Sequence, residues 1–391
     1  MRILYSHRIR SRDGQAVHLE AMVDALRAAG HEVLVVGPPG FENADLGDDS
    51  RAVALLRNHL PGWVGEMAEL AYIAPATMRL ERAAREFRPD VIYERANLFH
   101  LAGTIVAARH KVPLLLEVNA PLAEERSRFG NLSLKRIATY LEQLAWRRAS
   151  RVLPVTEVLA GKVAAAGVPR ERITVVPNGI HPEDFPAVQA RPEDGPVVLG
   201  FVGFIRDWHG LDRVIRALGG YRGSPALAMH VVGEGPARPA LEALAQELGI
   251  TDRVTFGGLA AREAIPGIIG GFDIALQPAS VAYASPLKVF EYMAAGRAII
   301  APDQPNLREV LRDGETALLF DPANPEEQWQ AILRLATDPA LRRRLGEAAR
   351  AEITRSDLTW AGNARRVLSL AAEEMFRRKP AVQAAARSAA E

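Results

Sequence analysis

The feature that most limits the fold of this chain is an alternation of short β-rich runs with amphipathic helical stretches, carried through twice. Residues 2–5 read as a strand. Residues 17–29 then show helical periodicity, with Leu19, Met22, Val23 and Leu26 on one face and Gly30 as the stop. Further strands are expected at 31–37, 91–93, 113–118, 152–155 and 173–176, with a helical run at 98–109. The second half repeats the plan. Strands are expected at 197–203, 227–233, 254–256, 274–276 and 298–301, with a helix from Gly210 and another at 238–248. Strands that alternate with helices build a parallel sheet covered on both faces. Ligands of such sheets bind beyond the carboxyl ends of the strands, so the residues just after each strand are the ones to weigh.

Residues 181–196, rich in Pro and acid, read as a linker between the halves. A chain of 391 residues can fill two cores. The expected domains are 1–186 and 187–356, with a closing helix at about 357–378 packed back on the first. The Ala-rich residues 381–391 are expected to fray. A net charge of +1 gives no general field toward nucleic acid. The absence of cysteine excludes disulfides, thiolate metal sites and cysteine nucleophiles, and fits the cytosol. The apolar start is too short and too soon broken by charge for a signal peptide. No run approaches the ~18 apolar residues of a membrane span. The expectation is a soluble, cytoplasmic protein, at most attached to a membrane surface.

One helix start stands out. A strand ending at Leu276 leads through a loop to Ser285 and Pro286. Ser is a favoured N-cap, and Pro suits the first helical position. The helix runs on through Leu287, Phe290 and Ala294 and stops at Gly296, while Lys288 and Glu291 share the other face. A helix start has unpaired N–H groups and a positive dipole end, so a lysine in its first turn is locally unfavourable. The conflict resolves if an anion, such as a diphosphate, sits there. Glu291, one turn deeper, can accept hydrogen bonds from a ribose diol. The same spacing also suits a solvated ion pair between Lys288 and Glu291.

The segment Ser285-Pro286-Leu287-Lys288-Val289-Phe290-Glu291-Tyr292-Met293-Ala294-Ala295-Gly296 resembles the donor-site signature of glycosyltransferase family 4. Other stretches agree in order: Gly14-Gln15-Ala16-Val17-His18 before a helix, Gly167-Val168-Pro169, Pro177-Asn178-Gly179-Ile180, Gly233-Glu234-Gly235-Pro236 and Val254-Thr255-Phe256-Gly257-Gly258. The likeness spans roughly residues 1–375. It implies the α/β GT-B fold, two Rossmann-like doubly wound domains facing each other across a cleft. It also implies retaining transfer of a hexosyl unit from a nucleotide sugar, with UDP the expected nucleotide and GDP the other. The acceptor would be a hydroxyl on a glycan, a lipid-linked sugar or a small molecule, in cell-surface polysaccharide or glycoconjugate synthesis. The resemblance implies no metal and no cofactor, the nucleotide sugar being a co-substrate. It places Lys288 at the diphosphate, with Ser285, Pro286, Leu287, Glu291, Gly203, Glu234 and Gly257 around the donor. Gly14, Gln15 and His18 fall on the acceptor side.

The sequence departs from the family pattern in four places. The usual second Glu, eight positions before Glu291, is Tyr283. Donor sugar contacts are then expected from backbone groups of Tyr283, Ala284 and Ser285. In the loop after the first strand of the second half, Phe204 stands for the usual Arg and His209 for the usual Lys, with Arg206 as a replacement cation. On the acceptor side Asn119 stands where a His is common. Lys288, Arg206 and Asn119 are therefore the expected catalytic residues.

Plainer readings stand beside these. Gly14 also suits a turn, Asn119 an Asx-turn and Trp208 a packing wedge. Between 121 and 151, basic residues interleave with Leu132, Leu134, Ile137, Tyr140, Leu141 and Leu144. Such a face suits an anionic membrane or a lipid-phosphate acceptor, and equally a solvated domain helix. A Rossmann dehydrogenase would need a third glycine, which the segment from Gly233 to Arg238 lacks. An epimerase or hydrolase of the same fold would need an ordered acid–base pair. A non-catalytic sugar-nucleotide binder is the remaining alternative.

Overall fold

The computed structural model describes residues 1–9, 14–39, 62–186 and 195–388. The chain forms two compact units, Met1–Pro177 with the segment from Trp360, and Asn178–Thr359. The second unit therefore begins at 178, ahead of the expected 187, and it ends at 359 rather than 356.

The first unit holds a parallel sheet in the order β2-β1-β3-β4-β5. Its strands are β1 (Arg2–Ser6), β2 (Glu32–Val36), β3 (Val91–Arg95), β4 (Leu114–Val118) and β5 (Arg151–Pro154). The helices are α1 (Gly14–Ala28), α2 (Gly62–Ala71), α3 (Ile73–Phe87), α4 (Ala102–His110), α5 (Leu122–Phe129), α6 (Lys135–Arg148) and α7 (Glu157–Ala165). The sheet reads as near-continuous apolar runs because helices cover both faces. Residues 173–176 were expected to be a further strand. They lie extended beside β5, with Thr174 and Val176 N–H donating to the carbonyls of Val152 and Pro154, but form only one bridge, Val152–Ile173. The helix expected from 98 starts at Ala102, because Phe99 takes a left-handed backbone with φ of 53°.

The second unit holds six parallel strands in the order β11-β10-β9-β6-β7-β8. They are β6 (Val197–Val202), β7 (Leu227–Val232), β8 (Val254–Gly258), β9 (Ile274–Leu276), β10 (Ala298–Pro302) and β11 (Leu318–Phe320). Around them lie α8 (Leu211–Gly220), α9 (Arg238–Glu247), α10 (Ile265–Gly270), α11 (Leu287–Ala294), α12 (Pro305–Arg308), α13 (Pro325–Thr337) and α14 (Pro339–Arg355). In each sheet the chain steps outward and then returns to the other side of its first strand. The switch points lie between β1 and β3 and between β6 and β9. Crevices open at such points, at the carboxyl ends of the strands.

The last helix, α15 (Trp360–Ser388), belongs to the first unit. The segment expected to fray is helical through Ser388, and residues 389–391 lie outside the described residues. Buried Arg151 on β5 pins α15 through Glu374 at 2.7 Å and Glu373 at 3.0 Å. Trp360 packs edge-on against His18. Removing one partner of a buried pair leaves a charge that burial penalises. Glu374→Ala is expected to lower unfolding free energy by about 3 kcal/mol, and Glu373→Ala, half in solvent, by under about 1 kcal/mol. Urea denaturation of both variants checks this, and equal losses would refute the ranking.

Candidate functional site

At the switch point of the second unit, α11 rises behind the loop that follows β9. Sequence spacing put the N-cap at Ser285, but Pro286 occupies the cap position and the helix begins at Leu287. Ser285 is drawn away by Asn178. The Asn178 N–H donates to the Ser285 hydroxyl at 3.3 Å, and its side-chain amide donates to the Ser285 carbonyl. Pro286 has no N–H, and those of Leu287 and Lys288 have no partner among the described residues. The helix is anchored from behind, where the Val202 N–H donates to the Tyr292 hydroxyl at 3.0 Å.

Lys288 does not pair with Glu291. Its ammonium lies 4.0 Å from the centre of the Phe201 ring, a cation–π contact. It also closes on Gly203, where an added Cβ would lie 3.0 Å from Lys288 Cε. Burial pulls the Lys288 ammonium down to about 7, with only partial compensation from the Glu291 charge. Glu291 is buried and pairs with Arg262 at 2.9 Å. Burial pushes its carboxyl up, against the opposing pull of Arg262 and then Lys288.

The glycine turns after β6 and β7 lock together. The Gly203 N–H donates to the Val232 carbonyl at 2.9 Å, and the Ile205 N–H to the Glu234 carbonyl at 2.8 Å. An added Cβ on Gly233 or Gly235 would sit 2.1 Å from the carbonyl oxygen of Gly203 or Ile205. These glycines are therefore required by backbone contact. Glu234 spends its carboxylate on Arg238, and Gly257 lies in β8 against the His230 ring. His209 Nδ1 accepts the Arg206 N–H at 3.2 Å, so its neutral ring carries the proton on Nε2. Burial, then the charges of Lys288 and Arg206, lower His209 to about 3. It is a neutral donor where the family pattern has a lysine. The Arg206 guanidinium is held between the Phe204 and Trp208 rings. Tyr283 has a buried side chain. Ala284 donates its N–H to Val281 and accepts from the Asn306 amide at 2.7 Å, so its backbone is largely spent. Gln304 holds the same loop through the Ser280 carbonyl.

The acceptor-side residues belong to the first unit. Gly14 opens α1 rather than sitting in a loop, and Gln15 is exposed in its first turn. Both His18 and Asn119 are turned onto Glu117, a buried carboxylate at the end of β4. His18 Nε2 lies 3.0 Å from Glu117 Oε2, and the Asn119 amide donates to Oε1 at 2.5 Å. The Tyr93 hydroxyl and Arg95 donate to the same carboxylate at 2.7 and 2.5 Å. Burial opposes ionisation, but His18, Arg95 and these hydrogen bonds hold Glu117 far below the usual carboxylate range. Asn119 thus positions Glu117. Beside this cluster, Glu94 Oε2 accepts from the Ser6 hydroxyl and the Gly103 N–H. Burial and then the Arg95 charge lower neighbouring His7 to about 4. Glu117 carried a legible signal, a carboxylate at the end of an apolar strand. Asn178 stood in a family-like stretch without a role of its own, and Arg262 and Asn306 carried no signal, since the partners of all three lie 22 or more residues away. Among the described residues no group of three or more His, Asp or Glu could hold a metal ion.

A sequence model of "Glycosyltransferase Family 4" matches residues 12–184, and one of "Glycosyl transferases group 1" matches 183–352. The chain belongs to glycosyltransferase family 4. It is 27% identical over 331 residues to 2-deoxystreptamine glucosyltransferase of Streptomyces kanamyceticus, covering 79% of this chain and 85% of that one. It is 24% identical over 365 residues to glycogen synthase of Mycobacterium tuberculosis, covering 89% and 88%. Its fold is that of the GT-B enzymes. Alr3699/HepE of Anabaena, solved in complex with UDP, superposes with a TM-score of 0.75 at 18% identity, covering 95% of this chain and all of that one. Sucrose-phosphate synthase of Thermosynechococcus elongatus superposes at 0.77 and 17%, covering 97% of this chain and 100% of that one.

The state of Lys288 is open to direct measurement. The sequence has five lysines, so dimethylation with labelled formaldehyde gives few resonances, and Lys288→Arg assigns one of them. That resonance is expected to titrate near pH 7, charged below and neutral above. Pyrophosphate should raise the midpoint, because an anion favours the ammonium form. A midpoint near 10 in the free protein would show that Lys288 is solvated.

Proposed function

We propose that this glycosyltransferase moves a hexosyl unit from a UDP-sugar to a hydroxyl acceptor, with retention of configuration and without a metal ion. The observation that carries the reading is Lys288, a desolvated ammonium at a helix start with open N–H groups. A diphosphate supplies the anion that this cation lacks. Glu291, one turn deeper, and its partner Arg262 suit the ribose and base. HepE solved with UDP and with UDP-glucose supports the choice of nucleotide.

In this mechanism the bond between the anomeric carbon and the β-phosphate oxygen breaks as the acceptor oxygen bonds to the same face of that carbon. The acceptor proton passes to the leaving phosphate, and a nucleoside diphosphate departs. Lys288, the Leu287 and Lys288 N–H groups and His209 Nε2–H stabilise the charge that grows on the phosphate. Arg206 adds to the same field. Tyr283 and Ser285 border the sugar through their backbone.

The acceptor is a glycan, a lipid-linked sugar or a small-molecule hydroxyl in polysaccharide or glycoconjugate synthesis, and the enzyme works in the cytoplasm. No helix among the described residues is long and apolar enough to cross a membrane. Contact with the inner membrane face is proposed through α5 and α6. Phe129, Ile137 and Tyr140 are exposed there beside Arg128, Lys135 and Arg136.

Lys288→Ala is expected to cut sugar transfer at least ~10²-fold, the loss typical of one oxyanion contact. Nucleotide release with UDP-glucose and a panel of acceptors measures it, and an active variant removes Lys288 from the mechanism. Chelation with EDTA should leave the rate unchanged; a loss restored by a divalent cation refutes metal independence. Vesicles with phosphatidylglycerol should retain the wild type and release Arg136→Glu/Tyr140→Glu. Equal retention of both rules out this face.

A further inference from the structure

The loop after β6 presents two aromatic rings around a guanidinium. Phe204 is 52% exposed and Trp208 37% exposed. The Arg206 guanidinium carbon lies 4.6 Å from the centre of the first ring and 4.8 Å from that of the second. The arrangement is fixed from below. Ile205 is buried with its N–H bonded to the Glu234 carbonyl, and the Arg206 N–H is bonded to His209. The rings are therefore held outward at a defined place. Water is a poor environment for such faces, and each ring offers a flat apolar surface where a carbon ring can stack.

Location decides which ring. The loop meets Lys288 at both ends: Gly203 abuts its side chain, and the His209 ring lies 5.2 Å from the Phe201 ring that carries the ammonium. Glu291 is held by Arg262 instead. A ligand on the loop therefore lies at the diphosphate end of the donor, where transfer occurs, and not at its base. Charge narrows the class further. Arg206 is an exposed cation, and Lys288 adds positive field when protonated, while His209 is neutral.

We propose that Phe204, Arg206 and Trp208 form a stacking platform for the acceptor, which is a pyranose or similar carbon ring that is neutral or anionic. The assignment rests on the donor site proposed above. C–H groups of the ring lie on the aromatic faces, and Arg206 attracts hydroxyl or carboxylate oxygens at its edge. An amino sugar brings a second cation beside Arg206 and is disfavoured.

Binding of p-nitrophenyl glucoside, glucuronide and glucosaminide, followed by saturation-transfer NMR with UDP present, tests the platform without requiring turnover. The wild type is expected to bind the first two more tightly than the third. Trp208→Ala and Phe204→Ala should weaken glucoside and glucuronide binding roughly fivefold to tenfold, and Trp208→Phe should recover most of it. UDP-glucose affinity should change by less than about twofold in all three, since none of these side chains holds the nucleotide. Arg206→Gln should erase the preference for glucuronide over glucosaminide. The proposal is overturned if the alanine variants bind the probes as wild type does, if they lose UDP-glucose affinity to the same extent, if the glucosaminide binds best, or if no probe binds. Loss of transfer with intact probe and nucleotide binding would instead count against the proposed reaction and leave the platform standing.

Discussion

Much of the second unit is arranged around a buried lysine that the protein desolvates rather than pairs. Lys288 is drawn over Phe201 and against Gly203, and no carboxylate lies within ion-pair distance of it among the described residues. The nearest acid on its helix, Glu291, is taken by Arg262. The loops after β6 and β7 close on each other through backbone contacts, which brings Gly203 up to the lysine. Asn178 and Asn306 fix the strand-to-helix loop from outside. The cost of an under-solvated cation is then carried by the rest of the fold, and the donor diphosphate proposed to bind here would relieve it. Such stored unfavourable energy makes binding selective for a ligand of the right charge.

The first unit solves a different problem with the same architecture. Glu117 is buried at a strand end, yet four side chains satisfy it, two of them from the neighbouring strand β3 and one from α1. Here the charge is compensated internally, so the cluster is rigid rather than poised. The contrast separates a lysine without an ion-pair partner, where the diphosphate is proposed to bind, from a carboxylate whose partners are already in place.

Most of the architecture was legible because parallel strands are apolar on both faces and helices end at glycine. Gly30 and Gly296 stop helices as read, with φ of 83° and 64°. What escaped was short or non-local. The three residues of β11 carry no period, and residues 173–176 have strand composition but meet only one edge. The helix start was misplaced at Ser285, because a distant asparagine competes for that serine more effectively than the helix does. Lys288 stood out in the sequence because a cation in a first turn violates a local rule. Arg262 was missed because an arginine in an exposed loop violates none. The solvated pairing of Lys288 with Glu291 failed for the same reason, since its competitor lies far away in sequence.

The placement of α15 has a consequence for biogenesis. The first unit starts the chain, but its Arg151 and His18 are completed by Glu374 and Trp360, which leave the ribosome after the whole second unit. The second unit is contiguous and can close as it emerges. The first must wait with Arg151 lacking its two carboxylate partners, so vectorial synthesis makes the domain begun first the one finished last.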